Sequence, residues 1–348
     1  MKLDLQNKEW KEFEIGVEFL VKNSKAYHKT ELKESKARGL AYVSRTNNNN
    51  GIESIVVEDK NFKINPPNTI VFGAENATFF YQSGKYITGN KMYYIQNKLL
   101  TKQSGLFVQM MLNQSIKNCG FGYGKGLTGT RVINRIVNLP IDSRGNPDYA
   151  FMEAYMKQKE QGKLDEYRQF VKKRLPELQG YKEVEALENK EWNEFEIEDV
   201  AEIESGRDIY EKERISGNIP YVSATANNNG IGYFVGNDNN TKELGCLSVN
   251  RNGSVGYSFY HPYSALFSND CRKLRLKSPS KHVGIFISQQ ITRQRGKYGY
   301  GYKMGTARLK KQKIMLPVNQ ANEPDYKYME NYIKRLEYQK LSKYLSLK

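Results

Sequence analysis

Two stretches of this sequence set basic side chains among glycines and aromatics at short spacing. One is CGFGYGKGLTGTRVINR, Cys119 to Arg135; the other is ITRQRGKYGYGYKMGTARLKK, Ile291 to Lys311. Glycine lets a backbone approach a ligand closely, and Arg or Lys beside it reaches phosphate oxygens or the edge of guanine in a major groove. The candidates are Lys125 and Arg131 in the first stretch, and Arg293, Arg295, Lys297, Tyr300, Lys303 and Arg308 in the second. Arg131 and Arg308 hold matching places, 308 − 131 = 177 positions apart, whereas Arg293 and Arg295 have no exact counterpart, only Lys117 nearby. The expectation is that Arg131 and Arg308 hold phosphates while Arg293 or Arg295 touches base edges. A second pair of stretches, YVSRTNNNNGI from Tyr42 and YVSATANNNGI from Tyr221, carries asparagine runs. Asparagine reads adenine bidentately, but Asn-Gly is also a strong turn signal because both residues tolerate positive φ. Asn50 and Asn229 are therefore assigned to turns, and Arg45, Asn48, Asn49, Asn227, Asn228 and Arg251 remain candidate contacts.

Two short motifs imitate catalysis. Asn65-Pro66-Pro67 is similar to the Asn-Pro-Pro-aromatic loop with which adenine methyltransferases hold a flipped base. The fourth residue here is Asn68, and no glycine-rich loop after a strand offers a seat for a methyl donor. Pro147-Asp148 and Pro324-Asp325 are similar to the first half of a metal-dependent nuclease core, but the acidic-x-Lys partner is missing; Glu153-Ala154-Tyr155 and Glu330-Asn331-Tyr332 follow instead. His28, His261 and His282 are too scattered for a ligand cluster or a triad. No catalytic and no metal-ligating residue is assigned.

The elements that must position the basic residues occur twice. NKEWKEFEIG at Asn7 returns as NKEWNEFEIE at Asn189, and NLPIDSRGNPDYAFMEAYMK from Asn138 returns as MLPVNQANEPDYKYMENYIK from Met315. An offset that drifts only from 182 (189 − 7) to 177 (315 − 138) marks a tandem duplication, and a period this long means two homologous domains rather than a solenoid. Within each copy, the opening EW.EFEI alternates as a half-buried strand, AYVS and PYVS lead into the Asn-Gly turn, and NTIVFG and LGCLSV read as buried strands. The middles are thus expected to be mainly β. Each copy ends in a helix, with Pro147 or Pro324 at its first position and Asp148 or Asp325 at its second. The first helix is expected to run to about Leu187 and to break near Gly162 and Pro176. The expected fold class is α+β, with domains at 1–146 and 189–322, a spacer helix region at 147–188 and a C-terminal helix at 323–348.

The formal charge of +16 over 348 residues is spread along the chain, which suits a polyanion such as double-stranded DNA. Three distant cysteines suit a reducing cytoplasm, and no signal core or membrane-spanning run is present. The doubled layout of EW.EF.I, YVSAT..NNGI, a YGYG loop, an LP strand and a terminal helix resembles the DNA specificity subunits of type I restriction-modification systems, in particular the smaller subunits of type IIB-like systems. The resemblance spans nearly the whole chain. It implies two target-recognition domains related by a pseudo-twofold axis, each reading half of a bipartite DNA site. It also implies helices that set an unread spacer and dock methyltransferase or fused methyltransferase-nuclease subunits. AdoMet and any Mg²⁺ are then bound by those partners and no cofactor by this chain. The alternatives are a methyltransferase or nuclease in its own right, and a mimic that does not read DNA. The segments Glu53 to Cys119 and Gly232 to Arg295 diverge between the copies, as unlike half-sites require.

Overall fold

The computed structural model describes residues 2–299 and 301–346. It divides into two compact units, Met1–Tyr167 and Arg168–Lys348.

In the first unit a two-stranded antiparallel frame pairs Trp10–Glu14 with Ile136–Pro140, Trp10 lying opposite Pro140. Inside this frame is a four-stranded antiparallel sheet in the order Leu20–Asn23, Met92–Gln96, Thr69–Gly73, Phe79–Gln82. A three-stranded sheet runs Ile52–Val56, Leu40–Val43, Tyr86–Thr88, its last pair parallel. Thr69–Gly73 is buried along its whole length, as its unbroken apolar run predicts. The second unit repeats the plan strand for strand. Its frame is Trp192–Glu196 with Lys313–Pro317. The four-stranded order is Ala201–Ser205, Cys271–Leu276, Cys246–Asn250, Ser258–His261, and the three-stranded order is Ile231–Val235, Ser216–Val222, Leu266–Phe267.

The middles are less purely β than the sequence suggests. Helix Lys102–Ser115 covers the first four-stranded sheet, burying Phe107, Val108 and Leu112 against Ile70, Phe72, Phe79 and Ile95. Helix Lys281–Arg293 does the same in the second unit, with Val283, Phe286, Ile287 and Ile291 on Leu247, Val249 and Leu274. Each such side chain contributes about 1.5–3 kcal/mol on burial. Both helices carry a glycine where they come closest to the sheet. A Cβ on Gly105 would stand 2.4 Å from the Tyr81 ring, and one on Gly284 2.3 Å from the Tyr260 ring. Arg293 therefore ends a helix and Arg295 sits in the 3-10 turn Gln294–Lys297, so the glycine loop starts later than the sequence predicts.

The terminal helices also differ from expectation at their starts. They are Tyr149–Leu178 and Tyr326–Ser346, so Pro147 and Pro324 lie before them and Asp148 and Asp325 act as N-caps. Asp148 Oδ1 accepts from the Phe151 N–H at 2.9 Å, and Asp325 Oδ1 from the Tyr328 N–H at 2.9 Å. The second carboxylate oxygen of each takes a lysine from the frame, Lys8 at 2.7 Å and Lys190 at 3.1 Å. The prolines stay outside because each closes an antiparallel bridge, Ile141 with Pro147 and Val318 with Pro324. The first helix passes Gly162 unbroken and contains Pro176 only in its last turn, where a missing N–H disturbs no later bond of the helix. In the second unit Val171 and Leu178 pack on Leu341 of the C-terminal helix.

Candidate nucleic-acid interface

The asparagine turns are built identically. Asn49 and Asn50 stand at φ 47° and 54°, Asn228 and Asn229 at 50° and 55°, each pair followed by a glycine at φ 76° or 77°. Asn50 Nδ2 donates to Tyr81 O at 2.8 Å, and Asn229 Nδ2 to Tyr260 O at 3.1 Å, so each hairpin tip is tied to the edge strand of the neighbouring sheet. Gly51 and Gly230 need their left-handed backbone, and a Cβ on either would also press on Phe80 or Phe259 at 3.0 Å. The turn assignment of Asn50 and Asn229 follows from this bonding. Asn48, Asn49, Asn227 and Asn228 are exposed, although Asn49 Nδ2 already donates to Ile52 O at 3.1 Å.

The glycine loops are tight hairpins. Gly122 and Lys125 exchange backbone hydrogen bonds of 3.1 and 3.2 Å, and Gly299 and Tyr302 do likewise at 3.2 and 3.1 Å. Arg131 Nη1 donates to Gly126 O at 2.6 Å, and Arg308 Nη1 to Lys303 O at 2.7 Å; both arginines brace their loops while remaining exposed. Lys125 lies over the Phe121 ring at 5.2 Å and Arg308 over Tyr302 at 4.1 Å. Tyr123 projects from the first tip, 92% exposed. Tyr300, the matching candidate, lies outside the described residues.

An open groove of about 730 Å³ in the first unit brings the hairpin and the glycine loop together, with Arg45, Asn76 and Tyr123 in its wall. Four further lining residues, Lys29, Tyr42, Glu53 and Glu75, are charged or aromatic groups that motif reading passes over. Glu53 is salt-bridged to Lys29 at 3.0 Å, and hydrogen bonds from Ser44 and Lys29 hold its carboxyl below the usual carboxylate range. Glu75 pairs with Arg45 and, at 2.5 Å, with Lys91. Lys125, Arg131, Asn48 and Asn49 do not line this groove.

The second unit distributes its candidates differently. Arg295 lies over Tyr257 at 4.8 Å, and Tyr257 stacks on Phe259 at 6.3 Å, in a groove of about 820 Å³ that Asn229 also lines. Lys297 and Arg308 line another of about 450 Å³ with Tyr298, Tyr302, Lys311 and Lys313. Arg251 faces Asp270 at 3.8 Å, and Arg293 is exposed. Lys303 is half-buried, its carbonyl held by Arg308. Arg214, which no motif marks, stacks on Tyr233 at 3.7 Å. Other basic groups are neutralised internally, as Lys273 is by Glu204 at 2.7 Å and Glu243 at 2.5 Å. Among the described residues no cluster of three His, Cys, Asp or Glu side chains could hold a metal ion, and no helix is long and apolar enough to cross a membrane.

Comparison with known proteins agrees with this duplicated plan. The family model of the type I restriction modification DNA specificity domain matches residues 7–167 and again 189–344. The type II restriction enzyme specificity subunit S.BcgI of Heyndrickxia coagulans is 32% identical over 306 residues, 86% of either chain. Among solved structures, the type I restriction-modification S subunit from M. genitalium is similar over 99% of this chain and 94% of its own, at 16% identity and TM-score 0.48. The HsdS subunit from Thermoanaerobacter tengcongensis covers 96% and 90% at 11% identity and TM-score 0.32. With the family pattern met once in each unit and a 32% identical specificity subunit aligned over most of its length, this chain belongs to the type I restriction modification DNA specificity domain family.

Proposed function

We propose that the chain is the non-catalytic recognition subunit of a cytoplasmic restriction-modification complex, in which each unit reads one half of a bipartite site on double-stranded DNA. Methyltransferase subunits, fused to a nuclease or not, supply the chemistry and bind AdoMet and any Mg²⁺. The observation that carries this reading is the contrast between what the two units share and what they do not. The frame strands, the Asn-Gly tie, the Lys-Asp clasp at the helix start and the loop-bracing arginine recur in both. The grooves beside them do not: Arg45, Glu53 and Glu75 are replaced in the second unit by Ala224, Gly232 and Ser254. A shared frame with unlike grooves suits a common partner surface and two different half-sites. Domains at 1–146 and 189–322 and helical spacers at 147–188 and 323–348 are the division this reading uses.

The test is reconstitution with a methyltransferase partner. The chain alone is expected neither to bind AdoMet nor to methylate DNA, and the complex to methylate a bipartite site that the partner alone ignores. Methyl transfer by the isolated chain overturns the reading.

A further inference from the structure

The groove of the first unit differs in kind from a phosphate site. It opens between the asparagine hairpin and the Tyr123 loop tip, where the candidate DNA contacts of this unit converge, yet carboxylates line it in a chain of net charge +16. Glu53 has a side chain 33% exposed, fixed by Lys29 at 3.0 Å. Arg45, 34% exposed, is held on one side by Glu75, which also takes Lys91. An ionised carboxylate is acceptor-only and repels a phosphate. A guanidinium with one edge already paired keeps further N–H donors for a planar acceptor pair.

We propose that this groove reads a C·G base pair through its major-groove edge, Glu53 accepting from the cytosine N4 amino group and Arg45 donating to guanine O6 and N7. The proposal rests on the recognition function above and deepens it by naming the base pair. Cytosine presents an amino donor without an adjacent acceptor, whereas adenine places N7 beside its amino group, against which a carboxylate is repelled. Guanine supplies the two acceptors that arginine matches. Tyr42 and Ser44, which the second unit repeats as Tyr221 and Ser223, form the floor; the two reading positions are those at which the units diverge, to Ala224 and Gly232. The second unit therefore lacks this reader.

The experiment sequences the sites methylated by the assembled complex and titrates it against single-base variants of its site. The wild-type consensus is expected to require C·G at one position of one half-site, with about ten- to hundredfold weaker binding for other pairs there. Glu53→Ala should reduce that preference to within about threefold and leave the other half-site and the salt slope unchanged. Glu53→Gln should shift it toward adenine, since glutamine matches the N6–N7 edge. The proposal is overturned if neither wild-type half-site contains an obligatory C·G pair, which needs no variant. It is equally overturned if both variants keep the wild-type consensus or weaken all sequences evenly. A wild-type complex without any bipartite selectivity would instead sink the recognition function itself.

Discussion

Arg131 and Arg308 have a double task. One guanidinium nitrogen of each holds a loop carbonyl, at 2.6 and 2.7 Å, and the rest of the group faces outward. Replacing either with alanine should weaken binding of the complex to every sequence alike and lower the slope of log K against log salt by about one, with the recognised bases unchanged. A titration at several salt concentrations checks this, and a relaxed base at a single position would contradict it. His261 gives a different kind of test. It is fully buried, with Nε2 2.9 Å from Ser248 Oγ, and burial pushes its imidazole down to about 4. The unfolded chain takes up that proton first, so stability is flat above the ordinary value near 6.5 and falls as pH drops from there toward 4. Burial also lowers His282, in the same direction. Urea midpoints should show the second unit roughly 2 kcal/mol less stable at pH 5 than at pH 7 through His261. In His261→Gln that difference should largely disappear; an undiminished pH dependence would place its origin elsewhere.

At the level of elements, the caps are the clearest case of a motif whose meaning is structural. Pro-Asp at residues 147–148 and 324–325 looks like half of a nuclease core, but both aspartates are spent on a helix N–H and a frame lysine. Asp148→Ala or Asp325→Ala should cost about 1–2 kcal/mol in urea unfolding of its own unit. A change below a few tenths would mean that the cap is redundant. These contacts also explain what the sequence disclosed and what it hid. The duplication, the buried strands and the Asn-Gly turns were legible because repetition, an unbroken apolar run and a φ preference are properties of neighbouring residues. Helix Lys102–Ser115 was not, because Gly105 and the polar Gln103, Gln109 and Asn113 mask its periodicity. Gly105 lets the helix sit on Tyr81, while Gln109 and Asn113 accept from the N–H groups of Tyr81 and Phe79. Those bonds join elements about thirty residues apart, and no local pattern announces them. Glu53 was missed for a similar reason. It acts only beside Lys29 and Ser44, although its exchange for Gly232 just after the shared NNGI was visible in the repeat.

For the whole molecule, the reader segments behave as inserts in a repeated frame. Exchanging Glu53 to Cys119 for the matching segment of a related subunit should change one half of the methylated site and leave the other intact. Sequencing of modified DNA decides the matter; alteration of both halves, or of neither, would rule out two independent readers. The frame has a mechanical side as well. Trp10 lies opposite Pro140 in the ladder, and Lys8 spans the open end of that pair, holding Ile141 O at 3.0 Å and Asp148 at 2.7 Å. A pulling force applied between the N-terminal segment and the helix Tyr149–Leu178 therefore enters the unit at this clasp and must unzip it first. The sheets and the groove lie off the load path, so tension arising elsewhere in an assembled complex would leave the reading surface unstrained until the clasp gives way.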